Sequence, residues 1–273
     1  MTLAPDAVTG TAVGVPYVLR PPATPRPDAP VVLAWHLMDA PRTERAFAAA
    51  LPLEGLDAWR LYPGLPMCGA RSPGFEEILR LGREEPVLNL HGAANAQAVA
   101  ELPALLDAVR AEHGIGDGPL AVVGGSAGAG IAGAAVVEKV VEARAAVLVS
   151  PLLQLRPVVA ELATFFGMDY RWTPESETVA DRMDLVARAA GFAGTPVRLV
   201  VGADDSVDAF LHPAQRLRDA VTALGTAADL HVVEGMGHAL AEEPGVDPAP
   251  QTPHAARVDA LAVAWLAQAF ESA

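Results

Sequence analysis

The residues whose types and spacing can do chemistry are Ser126, the pair Asp204-Asp205, and His238. Ser126 stands in the segment GGSAG, which fits the pattern G-x-S-x-G, whose glycines allow a tight turn that lifts the serine side chain clear of the backbone. A serine hydroxyl is a weak nucleophile unless a base takes its proton, and imidazole is a better base when a carboxylate fixes its tautomer. These residue types therefore indicate nucleophilic catalysis, with Ser126 as the candidate nucleophile.

Short apolar segments precede each of these residues. Residues 120–123 (LAVV), 197–201 (VRLVV) and 230–233 (LHVV) are typical of buried strands. In a parallel sheet the loops that follow the carboxyl ends of the strands converge at one edge. We therefore expect the serine, the aspartate pair and the histidine to meet at that edge.

Strands and helices alternate along most of the chain. Further strands are predicted at residues 13–20, 31–35, 58–62 and 145–149, and helices at 43–51, 96–113, from Pro213, and at a closing segment with the apolar stripe Val258, Leu261, Ala262, Trp265 and Leu266. This alternation predicts an α/β fold, with a mostly parallel central sheet of about eight strands and helices on both faces.

The domain organisation follows from length and from one interruption of the alternation. Because α/β folds of 273 residues are commonly one domain, we expect a single domain over residues 1–273. Residues 154–191 interrupt the strands with aromatic side chains and a charged helical stretch at 176–190. We interpret this segment as a small cap insertion that covers a pocket.

Glycines in the same region allow a competing interpretation. Gly128-x-Gly130-x-x-Gly133 fits a dinucleotide-binding pattern, which needs an acidic residue about 20 positions later for the ribose. The next strand ends instead at Val149-Ser150-Pro151. A nucleotide-binding oxidoreductase is therefore disfavoured, and we expect no cofactor.

Bulk charge and hydropathy limit the partners. The formal charge of −14 predicts repulsion from phosphate backbones and anionic lipids, which argues against nucleic acid and membrane partners. No segment approaches the roughly 20 apolar residues of a membrane span, and the first ten residues lack the features of a secretory signal. We expect a cytoplasmic protein that acts on a small molecule; the oligomeric state stays open.

The single cysteine and the seven histidines give no sign of a metal site. Cys68 alone cannot form an intramolecular disulfide or a thiolate cluster, and no H-E-x-x-H spacing occurs. We therefore predict no metal. The histidines other than His238 are interpreted as structural or surface groups: His36, His91, His113, His212, His231 and His254.

From the strand at Val31 through the closing helix, the chain resembles the α/β-hydrolase family. The motifs that carry the resemblance are GGSAG around Ser126, GADDSV from Gly202, and GMGH ending at His238, in the order Ser, Asp, His. In that family the acid commonly lies three residues after the strand-ending glycine, which selects Asp205. Asp204 is the alternative, and Asp208 a weaker one.

The resemblance also implies two backbone donors for an oxyanion and a substrate pocket. One donor is the N–H of Ala127, and the other lies in the turn His36-Leu37-Met38, with Met38 preferred over Leu37. Leu37 replaces the glycine of many relatives, and we expect this to narrow the acyl pocket. The candidate pocket residues are Leu37, Met67, Cys68, Phe166, Tyr170 and Trp172.

The sequence thus predicts a metal-free, carboxylesterase-like serine hydrolase that cleaves a carboxylic ester or related acyl bond through an acyl-enzyme. An acyl thioesterase or a small peptidase on the same fold is the alternative. A noncatalytic ligand-binding protein that kept the fold is a further one, because a fold alone does not define a function.

Overall fold

The computed structural model describes residues 7–24 and 26–271, which form one eight-stranded sheet with the order β1-β2-β4-β3-β5-β6-β7-β8. The strands are β1 (Val8–Ala12), β2 (Val15–Arg20), β3 (Val31–Trp35), β4 (Trp59–Pro63), β5 (Leu120–Gly125), β6 (Ala143–Val149), β7 (Val197–Gly202) and β8 (Ala228–Val233). The strands from β4 to β8 in this order run parallel, whereas β1 and β2 pair antiparallel at one edge. The predicted mostly parallel sheet is confirmed.

Helices cover both faces of the sheet. They are α1 (Glu44–Ala50), α2 (Phe75–Glu84), α3 (Gly92–His113), α4 (Ala127–Val137), α5 (Leu155–Phe166), α6 (Pro174–Arg182), α7 (His212–Ala223) and α8 (Pro253–Glu271). One core cluster joins α3, α4 and α7 to one face, and a second joins α1 and α8 to the other. On α8 the predicted stripe faces the second cluster, with Val258, Ala262 and Leu266 fully buried.

The amino-terminal edge differs from the expected single strand at residues 13–20. The structure has a hairpin in which β1 pairs with β2, and Val13 and Gly14 form the turn with φ of 47° and 80°. Val13 is therefore a turn residue and not a strand residue. The segment 8–12, VTGTA, has only one large apolar side chain, so its sequence alone does not predict a strand, and its strand conformation depends on pairing with β2.

Residues 64–95 hold more regular structure than the sequence indicated. After a loop with a short 3₁₀ turn (Gly69–Arg71) come α2 and a π-helical turn (Pro86–His91) that leads directly into α3. Helix α3 starts at Gly92 rather than at residue 96, contains Pro103, and ends at His113; Gly114 follows as a left-handed cap with a φ of 67°.

Residues 154–191 contain α5 and α6 and form their own small core. Leu155 and Val159 of α5 pack with Ala180 of α6 and with Val87 of the π-helical turn. The charged helical stretch expected at 176–190 is shorter, because α6 ends at Arg182 and only a 3₁₀ turn (Ala189–Phe192) follows. In the part of the chain that the structure describes, none of the helices has the length and apolar character to cross a membrane.

Candidate active site

Ser126 lies at the sharp turn between β5 and α4. Its backbone has φ of 49° and ψ of −117°, a region that residues with a side chain rarely occupy. Its N–H donates to the carbonyl of Val149 on the neighbouring strand, and its own carbonyl accepts from Ala129, Gly130 and Leu152. These hydrogen bonds hold the backbone of Ser126 in its strained conformation, and this conformation sets the direction of the side chain.

Two glycines of the turn are required by close backbone contacts. A Cβ atom on Gly124 would lie 2.3 Å from the Gly128 carbonyl oxygen, and one on Gly128 would lie 2.3 Å from the His36 carbonyl oxygen. Any larger residue would push these backbones apart. Gly124 therefore lets the start of α4 lie close to the end of β5, and Gly128 lets the serine turn lie directly against the end of β3 and the turn that follows it.

A similar contact joins the segments that carry Asp205 and His238. A Cβ atom on Gly202, the last residue of β7, would lie 2.0 Å from the carbonyl oxygen of Met236, two residues before His238. The same carbonyl accepts a hydrogen bond of 2.9 Å from the N–H of Asp204. This packing sets the aspartate beside the histidine.

The side chains of Ser126, His238 and Asp205 form a continuous hydrogen-bonded chain. The Ser126 Oγ atom lies 2.8 Å from Nε2 of His238, and Nδ1 of His238 lies 3.0 and 3.2 Å from the two carboxylate oxygens of Asp205. A carboxylate only accepts, so Nδ1 carries the proton and Nε2 of the neutral ring accepts from the serine hydroxyl. Such an arrangement can take a proton from a nucleophilic hydroxyl.

The surroundings of His238 favour its charged form. Burial lowers the pKa of the ring, but the hydrogen bond and charge of Asp205, followed by the charges of Asp39 and Glu161, raise it above its ordinary value. The Phe210 ring packs against the imidazole, with centroids 4.2 Å apart. The ring is thus held by an aromatic neighbour and surrounded by negative charge.

The other two candidate acids lie elsewhere. Asp204 is exposed, and only its backbone bonds to the histidine segment. Asp208 is also exposed and pairs with His212, with 3.1 Å between oxygen and Nδ1. Of the three aspartates, Asp205 alone contacts His238.

The turn after β3 is held by His36. Its buried ring accepts a hydrogen bond of 3.0 Å from the Leu65 N–H at Nε2, so Nδ1 carries the proton and donates to the Leu37 carbonyl oxygen at 2.6 Å. Burial lowers the pKa of His36 to about 4, which keeps the ring neutral. Because a trans peptide is planar, fixing the Leu37 carbonyl also fixes the opposite direction of the Met38 N–H.

The six candidate pocket residues do not form one group. Leu37 is fully buried, and its Cδ1 atom lies 2.4 Å from the position of a Cβ on Gly125, so it fills the core beside the serine turn. Met67 and Cys68 lie in the loop after β4, where Met67 has φ of 65°. Leu37 has no exposed surface to offer a substrate.

The aromatic candidates lie in and after α5. Tyr170 and Trp172 stack edge to face with centroids 5.0 Å apart, and the Tyr170 hydroxyl donates to Glu85 at 2.6 Å. Phe166 contacts Phe165 and lies under the guanidinium of Arg83, 5.3 Å from the ring centroid. These contacts tie the 154–191 segment to α2 and to the π-helical turn.

Cys68 is a poor nucleophile. Burial raises the pKa of its thiol to about 12, so the thiolate is scarce at neutral pH. Over residues 7–24 and 26–271, no three or more side chains of His, Cys, Asp or Glu are grouped to hold a metal ion.

Two carboxylates near His238 were not singled out from the sequence. An oxygen of Asp39 lies 3.6 Å from Nε2 of His238, and Glu161 of α5 accepts a hydrogen bond from the Ser206 hydroxyl, next to Asp205. The position of Asp39, directly after the His36-Leu37-Met38 turn, was the available signal. Glu161 had no such signal, because its approach depends on how α5 folds back.

The glycines of the dinucleotide-like pattern are explained by packing. Gly128 faces backbone of the β3 turn, a Cβ on Gly130 would lie 2.9 Å from the Leu152 carbonyl oxygen, and one on Gly133 would lie 2.5 Å from the Leu185 side chain. The spacing thus fits α4 against its neighbours, so packing accounts for these glycines without a bound nucleotide.

The chain belongs to the family with the alpha/beta hydrolase fold, whose sequence model matches residues 90–242. This range includes Ser126, Asp205 and His238. The family resemblance of the sequence is therefore confirmed. No curated protein matches the chain.

Solved structures with the same fold include esterases and peptidases at low sequence identity. TT1662 from Thermus thermophilus is 18% identical with a TM-score of 0.68, over 97% of this chain and 98% of its own. A cold-adapted esterase from an Arctic intertidal metagenomic library is 22% identical with a TM-score of 0.59, over 96% and 92%. Pyrococcus horikoshii acylaminoacyl peptidase is 11% identical with a TM-score of 0.63, over 87% of this chain but 38% of its own.

Proposed function

We propose that this protein is a serine hydrolase that cleaves a carboxylic ester or a related acyl bond through an acyl-enzyme intermediate. The observation that carries the proposal is the chain of hydrogen bonds from Ser126 to His238 at 2.8 Å and on to Asp205 at 3.0 Å. The strained backbone of Ser126 supports the proposal, because residues in rarely occupied φ/ψ regions cluster at active sites.

In the proposed reaction the Ser126 oxygen attacks the substrate carbonyl carbon while its proton passes to Nε2 of His238. Asp205 holds the ring in the correct tautomer and stabilises the imidazolium that forms. When the tetrahedral intermediate collapses, the bond to the leaving group breaks and that group takes the proton from Nε2. Water then repeats the sequence on the acyl-enzyme and releases the acid.

The oxyanion is proposed to bind the backbone N–H groups of Ala127 and Met38. Ala127 is the first residue of α4, so its N–H has no acceptor within the helix and lies at the positive end of the helix dipole. The Met38 N–H has no hydrogen-bond partner among the described residues, and the bond from His36 to Leu37 orients its peptide. Leu37 is the second choice of donor in this turn.

An ester is the first candidate substrate and a peptide is the alternative, because solved structures of similar fold include both an esterase and an acylaminoacyl peptidase. A thioester substrate uses the same steps, so it belongs to the same panel of test substrates.

Labelling with a fluorophosphonate tests the nucleophile. We expect one adduct on Ser126 in the folded protein, none in Ser126→Ala, and an unchanged adduct in Ser150→Ala, since Ser150 is buried at the end of the neighbouring strand. A panel of esters, thioesters and peptides then identifies the bond, with loss of turnover in Ser126→Ala. Absence of an adduct on Ser126 in folded protein would overturn the proposal.

A further inference from the structure

His238 has a second carboxylate on the side of the ring opposite Asp205. The Oδ2 atom of Asp39 lies 3.6 Å from Nε2, the nitrogen that also contacts Ser126, while Asp205 contacts Nδ1. The Asp39 side chain is 57% exposed, and within the described ranges it makes no other hydrogen bond or ion pair. Nε2 of His238 is therefore the one group with which the Asp39 carboxylate forms an ion pair among the described residues.

The charged groups that face the imidazole from the surrounding elements are negative. Asp205 follows β7, Asp39 follows β3, and Glu161 approaches from α5. His91, which interacts electrostatically with Asp39, is kept neutral because burial lowers its pKa to about 4. Arg42, three residues after Asp39, is paired with Glu243 at 2.6 Å.

We propose that Asp39 is a positioning residue that stabilises the protonated imidazole of His238 at Nε2, as Asp205 does at Nδ1. The catalytic consequence rests on the proposed function. During attack by Ser126 the proton arrives at Nε2, so a carboxylate beside this atom favours the charged ring of the transition state over the neutral ring.

The same contact also lowers the fraction of neutral His238 in the free enzyme at acid pH. The charge of Asp39 contributes to the raised pKa of His238, after the larger effects of burial, which opposes it, and of Asp205. A protonated ring cannot accept the serine proton, so activity is lost at a higher pH than it would be without Asp39. Removal of the charge should therefore extend activity toward acid pH.

The first test measures the protonation of His238 without using turnover. The imidazole C–H resonance of His238, assigned by its loss in His238→Gln, is titrated by NMR in the wild type and in Asp39→Asn. A unit charge at this distance in a water-like dielectric predicts a fall of about one pH unit in the pKa of His238 in Asp39→Asn. Asp39→Glu should restore most of it, and Asp208→Asn should leave it unchanged.

Glu161→Gln is the matched control for the alternative that any nearby negative charge raises the pKa of His238 equally, without a close contact at Nε2. It removes the same charge from α5, where the carboxylate is engaged by Ser206. We expect a smaller fall than in Asp39→Asn. An unchanged pKa of His238 in folded Asp39→Asn, or an equal fall in Glu161→Gln, would overturn the proposal.

The second test uses an ester found in the substrate panel. In Asp39→Asn the acid limb of kcat/KM should move down by about one pH unit, and the plateau should fall about 2- to 10-fold. If the protein hydrolyses none of the acyl substrates, the proposed function is contradicted. The NMR titration would then still show whether Asp39 stabilises the protonated ring of His238.

Discussion

The buried ring of His36 donates a hydrogen bond from Nδ1 to the carbonyl oxygen of its neighbour Leu37, 2.6 Å away. This bond fixes the peptide plane between Leu37 and Met38, and thus the direction of the Met38 N–H. The ring also accepts from the Leu65 N–H, so it joins the turn after β3 to the loop after β4. His36 is therefore a structural group, as the sequence indicated, that also orients a candidate oxyanion donor.

Substitution of His36 tests this orientation. An asparagine amide nitrogen reaches the position of Nδ1 and can still donate to the Leu37 carbonyl, whereas a glutamine amide extends toward the position of Nε2. We expect His36→Gln to lose about 10- to 100-fold in kcat with little change in KM, since a misplaced oxyanion donor affects the transition state. His36→Asn should keep more of kcat; equal loss in both variants would contradict the orienting role.

His36 also makes stability depend on pH. Burial lowers its pKa in the folded protein to about 4, from an ordinary 6.5. Between these values the unfolded chain binds a proton that the folded chain does not, so stability falls as pH falls. We expect about 2 kcal/mol from this ring between pH 7 and pH 5. Urea unfolding at the two pH values should show a correspondingly smaller fall in His36→Asn, and an identical fall would refute the prediction.

The choice between the two adjacent aspartates has a direct test. Asp205→Asn should lower kcat about 10³- to 10⁴-fold, because an amide no longer fixes the tautomer of His238. Asp204→Asn is the matched control with the same chemical change one residue away, on an exposed side chain, and it should stay within a few-fold of the wild type. Comparable losses in both would argue against Asp205 as the acid.

Helical glycines offer a second matched pair. A Cβ on Gly128 would meet the carbonyl oxygens of His36 and Trp35 at 2.3 and 2.5 Å, whereas one on Gly82 in α2 would have only a Leu90 methyl at 3.7 Å. Gly128→Ala should reduce the free energy of unfolding by more than about 3 kcal/mol or prevent folding. Gly82→Ala should be neutral or stabilising by up to about 1 kcal/mol. Urea unfolding measures the free energy of unfolding of both variants. A Gly128→Ala variant as stable as the wild type would contradict the prediction.

Asp39 and Glu161 should also select substrates by charge. Among esters of equal length that end in a trimethylammonium, a hydroxyl or a carboxylate group, we expect the cationic ester to have the highest kcat/KM, about 10-fold above the anionic one at low ionic strength. The ratio should shrink with added salt and in Asp39→Asn. A preference for the anionic ester would contradict this electrostatic description of the site.

Much of the fold followed from local pattern. Buried strands such as β5 and β6 are continuous apolar segments, and α8 carries a clear stripe, so their types could be predicted. The hairpin strand β1 could not, because the residues VTGTA become a strand only through pairing with β2. The π-helical turn could not be predicted for a similar reason, since the small core around Val87 is formed by distant residues of α5 and α6.

In the candidate site too, residues that follow local sequence patterns could be predicted, whereas contacts between distant turns could not. Ser126, Asp205 and His238 each follow a strand that ends at one edge of the sheet, so sequence reasoning could place them together; their catalytic roles stay a prediction. The contact between Asp39 and His238 joins two turns that are far apart in the sequence, and its only local signal is that Asp39 directly follows the His36-Leu37-Met38 turn. Leu37 is predicted to line the pocket because of its place in the turn after β3, but its side chain is buried in the core. The sequence position does not show in which direction a side chain of this turn points.

The glycine contacts at the two halves of the site have a consequence for sequence variation. Gly124 lies against the backbone of Gly128 within the serine turn, Gly128 against the backbone of the β3 turn, and Gly202 against the backbone of the histidine segment. In a saturation library selected for acyl hydrolysis, these three codons should accept almost nothing but glycine. The 154–191 segment, which we interpret from the sequence as a cap, should accumulate most of the changes that alter substrate preference.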